Sequence, residues 1–405
     1  DPTAPESKLK IEMLQKILEV DDDLDKILKL SKNVNWNDPR QTTAFYRQFI
    51  APNIGDWVDK LRYNSMLSSP QTQIVNIASN WEGTGVLTPI QKTLEGGIDA
   101  TISAFTDKAR TRYAGEGIRY AAGYYSNTRK AFKNLLDVFS GKLQIENPDL
   151  KKIPLTTTGV SKGIENILDI PGKALEGFDQ FFMTLTRGGL ERSYKYRLAK
   201  GTQVGNLAQK SQEEAQKLLF RGELTPKGEG IISGAFGGGG QWINNARNSA
   251  NPVFRWLAKL TFPFVNIGTN LAKAGVEANP ILGTLNLVGD QDKTAAVAKL
   301  MMGGAITLVG TGFALSDRMR AWEPSSAKER DALRRANVPP WSIKIGDNWM
   351  QFNKVHPLIG FQLGMVAALT QAWKEKKITD DKAEAIMNGM AGSLRFIGDQ
   401  TYFRN

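Results

Sequence analysis

The stretch from Asp56 to Asn80, DWVDKLRYNSMLSSPQTQIVNIASN, decides how the chain is read. Trp57, Val58, Leu61 and Met66 fall on one helical face, and Leu67 closes it. Ser69 stands where an N-cap belongs, with Pro70 at the first helical position, where its missing N–H has no intrahelical partner to lose. Ile74, Val75, Ile77, Ala78 and Trp81 then supply the apolar face of a second helix. Asn76 and Asn80 stack on one side of it, placed to bond a neighbouring backbone. The expectation is a helix–corner–helix built on Leu67, Ser69, Pro70, Thr72, Asn76 and Asn80, in an all-α protein.

The segments on either side carry the same period. On the N-terminal side, residues 8–32 read as an amphipathic helix through Leu9, Met13, Ile17, Val20, Leu24 and Ile27. Residues 42–50 give a short helix that stops near Pro52. On the C-terminal side, residues 98–143 form a longer helical region. From Thr101 to Leu143 it holds eight Lys or Arg against three acids. Tyr113, Tyr120, Tyr124 and Tyr125 interleave there with Arg110, Arg112, Arg119, Arg129 and Lys130. That mixture suits phosphate contact with base stacking, or a membrane headgroup layer. It serves equally as a solvated basic face with tyrosines half in the core.

Residues 144–160, with Pro148 and Pro154, read as a linker, and a helix starts near Ser161. A long helix comes after Pro171 and is expected to break at Gly188-Gly189. Residues 211–222 suggest a short polar helix, and GAFGGGG at 234–240 a hinge. Beyond Asn251, Pro252, Pro263 and Pro280 divide short apolar helices. WSIKIGDNWMQF alternates around Gly346-Asp347-Asn348, which signals a β-hairpin near 343–352. The fold expected is an elongated multi-helix assembly in four segments, 1–55, 56–150, 151–250 and 251–405, with that minor hairpin.

Two uncharged runs have near-membrane length. Leu300 to Leu315 is 16 residues, about 24 Å as helix against a hydrocarbon core of about 30 Å. Val355 to Trp373 is 19 residues bracketed by Lys354 and Lys374. Gly360, Gly364 and Ala368 form a small-residue ridge along it, suited to helix association in lipid or in a protein core. The overall composition favours core helices: hydrophobic residues make up 41% of the 405, enough for a substantial core.

Much chemistry is excluded. With no cysteine, there is no disulfide and no thiolate nucleophile. His356 is the only histidine, and it reads as a structural residue beside Pro357. GAFGGGGQ lacks the Lys-Ser/Thr of a phosphate-binding loop. Asp21, Asp22 and Asp23 lack the glycine and terminal Glu of a calcium loop. Glu6-Ser7 is similar to the catalytic pair of lytic transglycosylases, but the Gly-Leu-Met-Gln signature that should come after it is missing. The expectation is no catalytic residue, no metal and no cofactor. The net charge of +11 points to anionic partners. The chain opens on Asp with no signal peptide in view and is expected to be a processed product or part of a longer polypeptide.

The order of motifs resembles the large virion-associated proteins of tailed phages and related prophage elements. Their recurring Leu-Leu-Ser-Gly/Ser-Pro-x-Thr-x-x-Val-Asn-x-x-x-Asn pattern stands here as Met66-Leu67-Ser68-Ser69-Pro70, Thr72, Val75-Asn76 and Asn80. Blocks at 177–199, 262–280 and 338–360 are similar in the same order, as is the closing GDQTYF. The resemblance implies a non-enzymatic helical portion of an internal virion protein, carried in the capsid and delivered with the genome. Its implied partners are other virion proteins (portal, capsid interior or ejection proteins), phage DNA, host membrane, or further copies of itself.

Overall fold

The computed structural model describes residues 70–143, 170–221, 231–247, 265–287, 290, 292–324 and 326–374. Leu67, Ser69, the helices read at 8–32 and 42–50, the 144–160 linker and the closing GDQTYF lie outside the described residues. The chain divides into two compact units, Asp1–Ser69 with Glu146–Leu175, and Pro70–Ile145 with Glu176–Asn405. The cuts fall between Ser69 and Pro70, between Ile145 and Glu146, and between Leu175 and Glu176. Of the first unit only 170–175 are among the described residues; all other described residues belong to the second.

Helix α1 spans Pro70–Asn80 and starts on the expected proline. Asn80 keeps helical angles, and the chain continues through a π-helical turn, Trp81–Leu87, into α2, Thr88–Phe105. The widened turn has a local cause. Thr84 Oγ1 donates to the Asn80 carbonyl at 2.6 Å and Thr88 Oγ1 to the Gly83 carbonyl at 2.9 Å. Of the apolar face expected on α1, Val75 is buried and Ile77 packs on the core, but Ile74 and Trp81 face solvent.

The helical region expected over 98–143 is divided by the loop 106–114 into the end of α2, then α3 (Gly115–Ser126) and α4 (Thr128–Phe139). Helix α5, Ile170–Ala199, runs without a break through Gly188-Gly189. Those glycines serve packing instead. A Cβ on Gly188 would overlap the Asn127 side chain, and one on Gly189 would press on the Tyr120 ring. Helix α6 is Leu207–Leu218. The Gly-rich run at 234–240 is no hinge; it lies inside α7, Ile231–Arg247, which packs against α8, Val265–Ala278. Tertiary contact overrides the poor helix propensity of glycine there.

Pro280 ends α8 as expected, and α9 (Leu282–Asn286) comes next. Helix α10, Lys293–Leu315, carries the first uncharged run. Beyond it lies a three-stranded antiparallel sheet: β1 (Met319–Arg320), β2 (Ser342–Ile345) and β3 (Asn348–Gln351), with α11 (Ala327–Arg335) between the first two. Ile343 pairs with both Met319 and Met350. The expected hairpin turns at Gly346, whose φ of +58° is the left-handed conformation that favours glycine. The sheet gains β1 because Trp341 is wholly buried and its N–H donates to the Ala321 carbonyl at 2.6 Å.

Helix α12, Pro357–Lys374, is the second uncharged run, and Gly360, Gly364 and Ala368 are all buried in it. The ridge thus serves a protein core. Gln362, fully buried, donates to the Gly275 carbonyl at 2.8 Å and accepts from Asn279 at 3.0 Å. Asn279 in turn accepts from the N–H groups of Ile281 and Leu282 and so starts α9.

Helix α10 meets α8 at Gly303, where a Cβ would overlap the Ala278 carbonyl oxygen; at Gly304 it would meet nothing within 4 Å. We expect Gly303→Val to cost about 1–3 kcal/mol through overpacking. Gly304→Ala should instead be neutral or stabilising by up to about 1 kcal/mol, since alanine favours helix. Urea unfolding of the two variants checks this, and an equal effect would refute the close crossing.

Candidate functional site

The residues that the sequence grouped as one basic, tyrosine-bearing surface are sorted by the fold into an inside and an outside. Tyr120 and Tyr124 are 0% and 1% exposed and belong to the core with Phe182, Leu190 and Tyr194. This corrects their assignment as stacking or headgroup contacts, since no ligand reaches either ring. Helix α3 turns them inward because Gly117 and Gly123 on the same helix let α2 and α5 approach. Tyr124 bonds Thr84 at 3.0 Å, and burial raises both phenols above their ordinary range.

Arg112 is also turned inward. It pairs with Glu95 at 3.1 Å and with Asp292, the residue that caps α10 by accepting from the Ala295 N–H. Arg110 holds the 106–114 loop: its guanidinium lies over Tyr113 at 4.9 Å and donates to the Gly96 carbonyl. Tyr113 itself is half-buried, with its hydroxyl on the Lys200 carbonyl at 3.3 Å. Arg119, over the Tyr196 ring at 5.5 Å, remains exposed, as do Arg129 and Lys130. Of the corner residues, Asn76 and Asn80 are half-buried.

The inside is a network of ions that sequence reading missed. Helix α2 buries Lys92, Glu95 and Asp99 at helical spacing on one face. Lys92 reaches Glu214 of α6 at 2.5 Å, and the other Glu214 oxygen accepts the Tyr194 hydroxyl of α5. Burial would pull the Lys92 ammonium down, but Glu214 and Glu95 outweigh it and hold it above the ordinary range. Asp99 accepts from the N–H groups of Thr111 and Arg112 at 2.8 and 3.0 Å. Glu116 takes Arg197 in a two-armed bond, 3.0 Å from Nε and 2.6 Å from Nη2. Three cations, Lys92, Arg197 and Lys210, flank the single ring of Tyr194 at 5.2–5.6 Å. Lys210 sits at the edge, lowered by partial burial and then by Arg197, Arg112 and Lys92.

Chemically this arrangement is a clamp. Its buried carboxylates are each engaged by a cation or by several donors, which holds helices in register. Lys92, Glu95 and Asp99 offered the one available signal: charges at three- and four-residue spacing on a helix that has to bury that face.

His356 is buried at the start of α12. Its backbone N–H donates to Glu82 at 2.6 Å, its Nδ1 accepts from Leu358 N at 3.3 Å, and its ring lies 5.5 Å from Phe220. Burial pulls its pKa down to about 3, so it is a neutral structural residue. Among the described residues no group of three or more His, Asp and Glu is placed to hold a metal. A cleft of about 260 Å³ lies beside α11, lined by Arg320, Arg330 and Arg334 with Pro339 and Pro340, and Arg334 pairs there with Glu323 at 3.2 Å. Comparison of the chain with protein-family profiles, with curated proteins and with solved structures finds no match.

Proposed function

We propose that the chain is a non-enzymatic region of a phage internal virion protein, packaged in the capsid and delivered with the genome. The observation that carries this reading is the sorting of charge. The buried acids are engaged inside, Glu95 by Arg112, Glu116 by Arg197 and Asp99 by two backbone N–H groups, while Arg119, Arg129 and Lys130 stand on the outside. A protein with that distribution meets polyanions with its surface and does chemistry nowhere inside. The ordered motif blocks of the sequence support the same reading. So does the lack of cysteine, because no disulfide opposes unfolding during passage through a tail.

Mass spectrometry of purified particles before and after genome release tests it. Peptides of this chain are expected in full particles and missing from emptied ones. Peptides retained in emptied particles would indicate a capsid or portal component. A chain found only in host cells would overturn the reading.

A second reading, an oligomeric membrane conduit, draws on one observation. Helix α10 is the described helix long and apolar enough to cross a membrane. Its outer side shows Met301, Leu308, Val309 and Leu315 to solvent. Leakage of dye from vesicles on adding the purified chain would favour it.

A further inference from the structure

The apolar arc of helix α4 is wider than the fold covers. Ala131, Leu135 and Val138 enter the core. Phe132, Leu136 and Phe139, at three- and four-residue spacing, form a second stripe that is 53%, 65% and 43% exposed. Core packing does not explain three large apolar side chains on a 12-residue helix in solvent. The two phenylalanines are nonetheless held in place. Phe132 makes an edge contact with Phe181 at 4.9 Å, and the Phe139 ring packs where Gly177 leaves room for it. Arg129 and Lys133, both exposed, border the stripe along one edge, with exposed Lys130 and half-buried Asp137 further round the helix.

We infer that the outer face of α4 docks on a bilayer surface containing anionic phospholipid. An apolar ridge with cations along its edge is the pattern of a helix lying in the headgroup plane: the ridge enters the acyl boundary and the cations meet phosphates. Duplex DNA fits less well, because phosphate contact needs the cations but leaves Leu136 in water and unable to stack. A second copy fits less well too, because an antiparallel two-fold contact would set the cationic edges against each other. The inference rests on the chemistry of α4 alone and holds whichever proposed function is correct.

The test is flotation of the full chain with vesicles of phosphatidylglycerol and phosphatidylcholine in equal parts, and with phosphatidylcholine alone. Binding is expected to the anionic vesicles and to weaken in high salt. Leu136→Glu should lower it by about 100-fold. Lys130→Glu with Lys133→Glu, confined to exposed side chains, should lower it by about tenfold or more. Unchanged thermal melting shows that the variants fold. Three outcomes would each overturn the inference. One is equal affinity for neutral vesicles, and another is vesicle binding indifferent to both variants, which would assign it to another face such as α10. The third is a loss confined to DNA affinity or to self-association on Leu136→Glu, with vesicles unbound throughout.

Discussion

Glu116→Ala is expected to cost about 3–5 kcal/mol of unfolding free energy in urea, the range for breaking a buried ion pair from one side. Glu116 is 1% exposed and receives four donors: two from Arg197, the Ser193 hydroxyl at 3.2 Å and the Tyr113 N–H at 2.9 Å. Its loss leaves the Arg197 guanidinium, itself 8% exposed, in the interior without its carboxylate. Nearby Lys92 and Lys210 then add repulsion, because both share the Tyr194 ring with Arg197. Replacing both partners, as Glu116→Leu with Arg197→Met, removes the stranded charge along with the bond. The double variant should therefore lose less than Glu116→Ala alone, a non-additivity expected of contacting residues. If Glu116→Ala costs under about 1 kcal/mol, the clamp does not hold α3 to α5 as described.

This network also shows where sequence reading stops. Pro70, the hairpin at Gly346 and the burial of α12 were legible because each rests on local rules: a proline at a helix start, a left-handed turn residue, an uncharged run of helical length. Glu116 and Arg197 lie 81 residues apart, and Lys92 and Glu214 lie 122 apart. No local pattern predicts those meetings. The tyrosines failed for a related reason. Tyr120 and Tyr124 share a helix with arginines, and composition alone does not say which face of α3 meets α5. The glycines of α3 and of Gly188-Gly189 decide that, because they are places of close approach; from sequence alone, Gly188-Gly189 reads as a break. Arg119, Arg129 and Lys130 were legible as surface cations, whereas the exposed stripe on α4 was hidden because its residues are the same apolar types that fill its core face.

His356 gives the second large effect, and it is a pH effect. Its ordinary pKa is 6.5, and in the folded chain burial lowers it to about 3. Between those values the unfolded chain binds a proton that the folded chain refuses, so stability is fully present above about pH 6.5 and falls as the pH drops. The slope expected from this group is about 1.4 kcal/mol per pH unit, or about 3 kcal/mol by pH 4.5. The geometry agrees with the sign. Nδ1 accepts from the Leu358 N–H at the first turn of α12, and a protonated Nδ1 has no lone pair to do so. On its other side the ring fills the space above Gly83 in the π-helical turn, and the residue is buried. Glu82 opposes the trend in part. Burial raises its pKa, so its contribution improves as the pH falls through that raised value. The comparison with His356→Asn isolates the histidine, because asparagine keeps a cap acceptor without titrating and the chain has no other histidine. Urea unfolding from pH 7 to pH 4.5 should show the parent losing about 3 kcal/mol more than the variant. Parallel curves would mean that the ring charges without unseating α12, and the neutral, buried cap at its start would have to be abandoned.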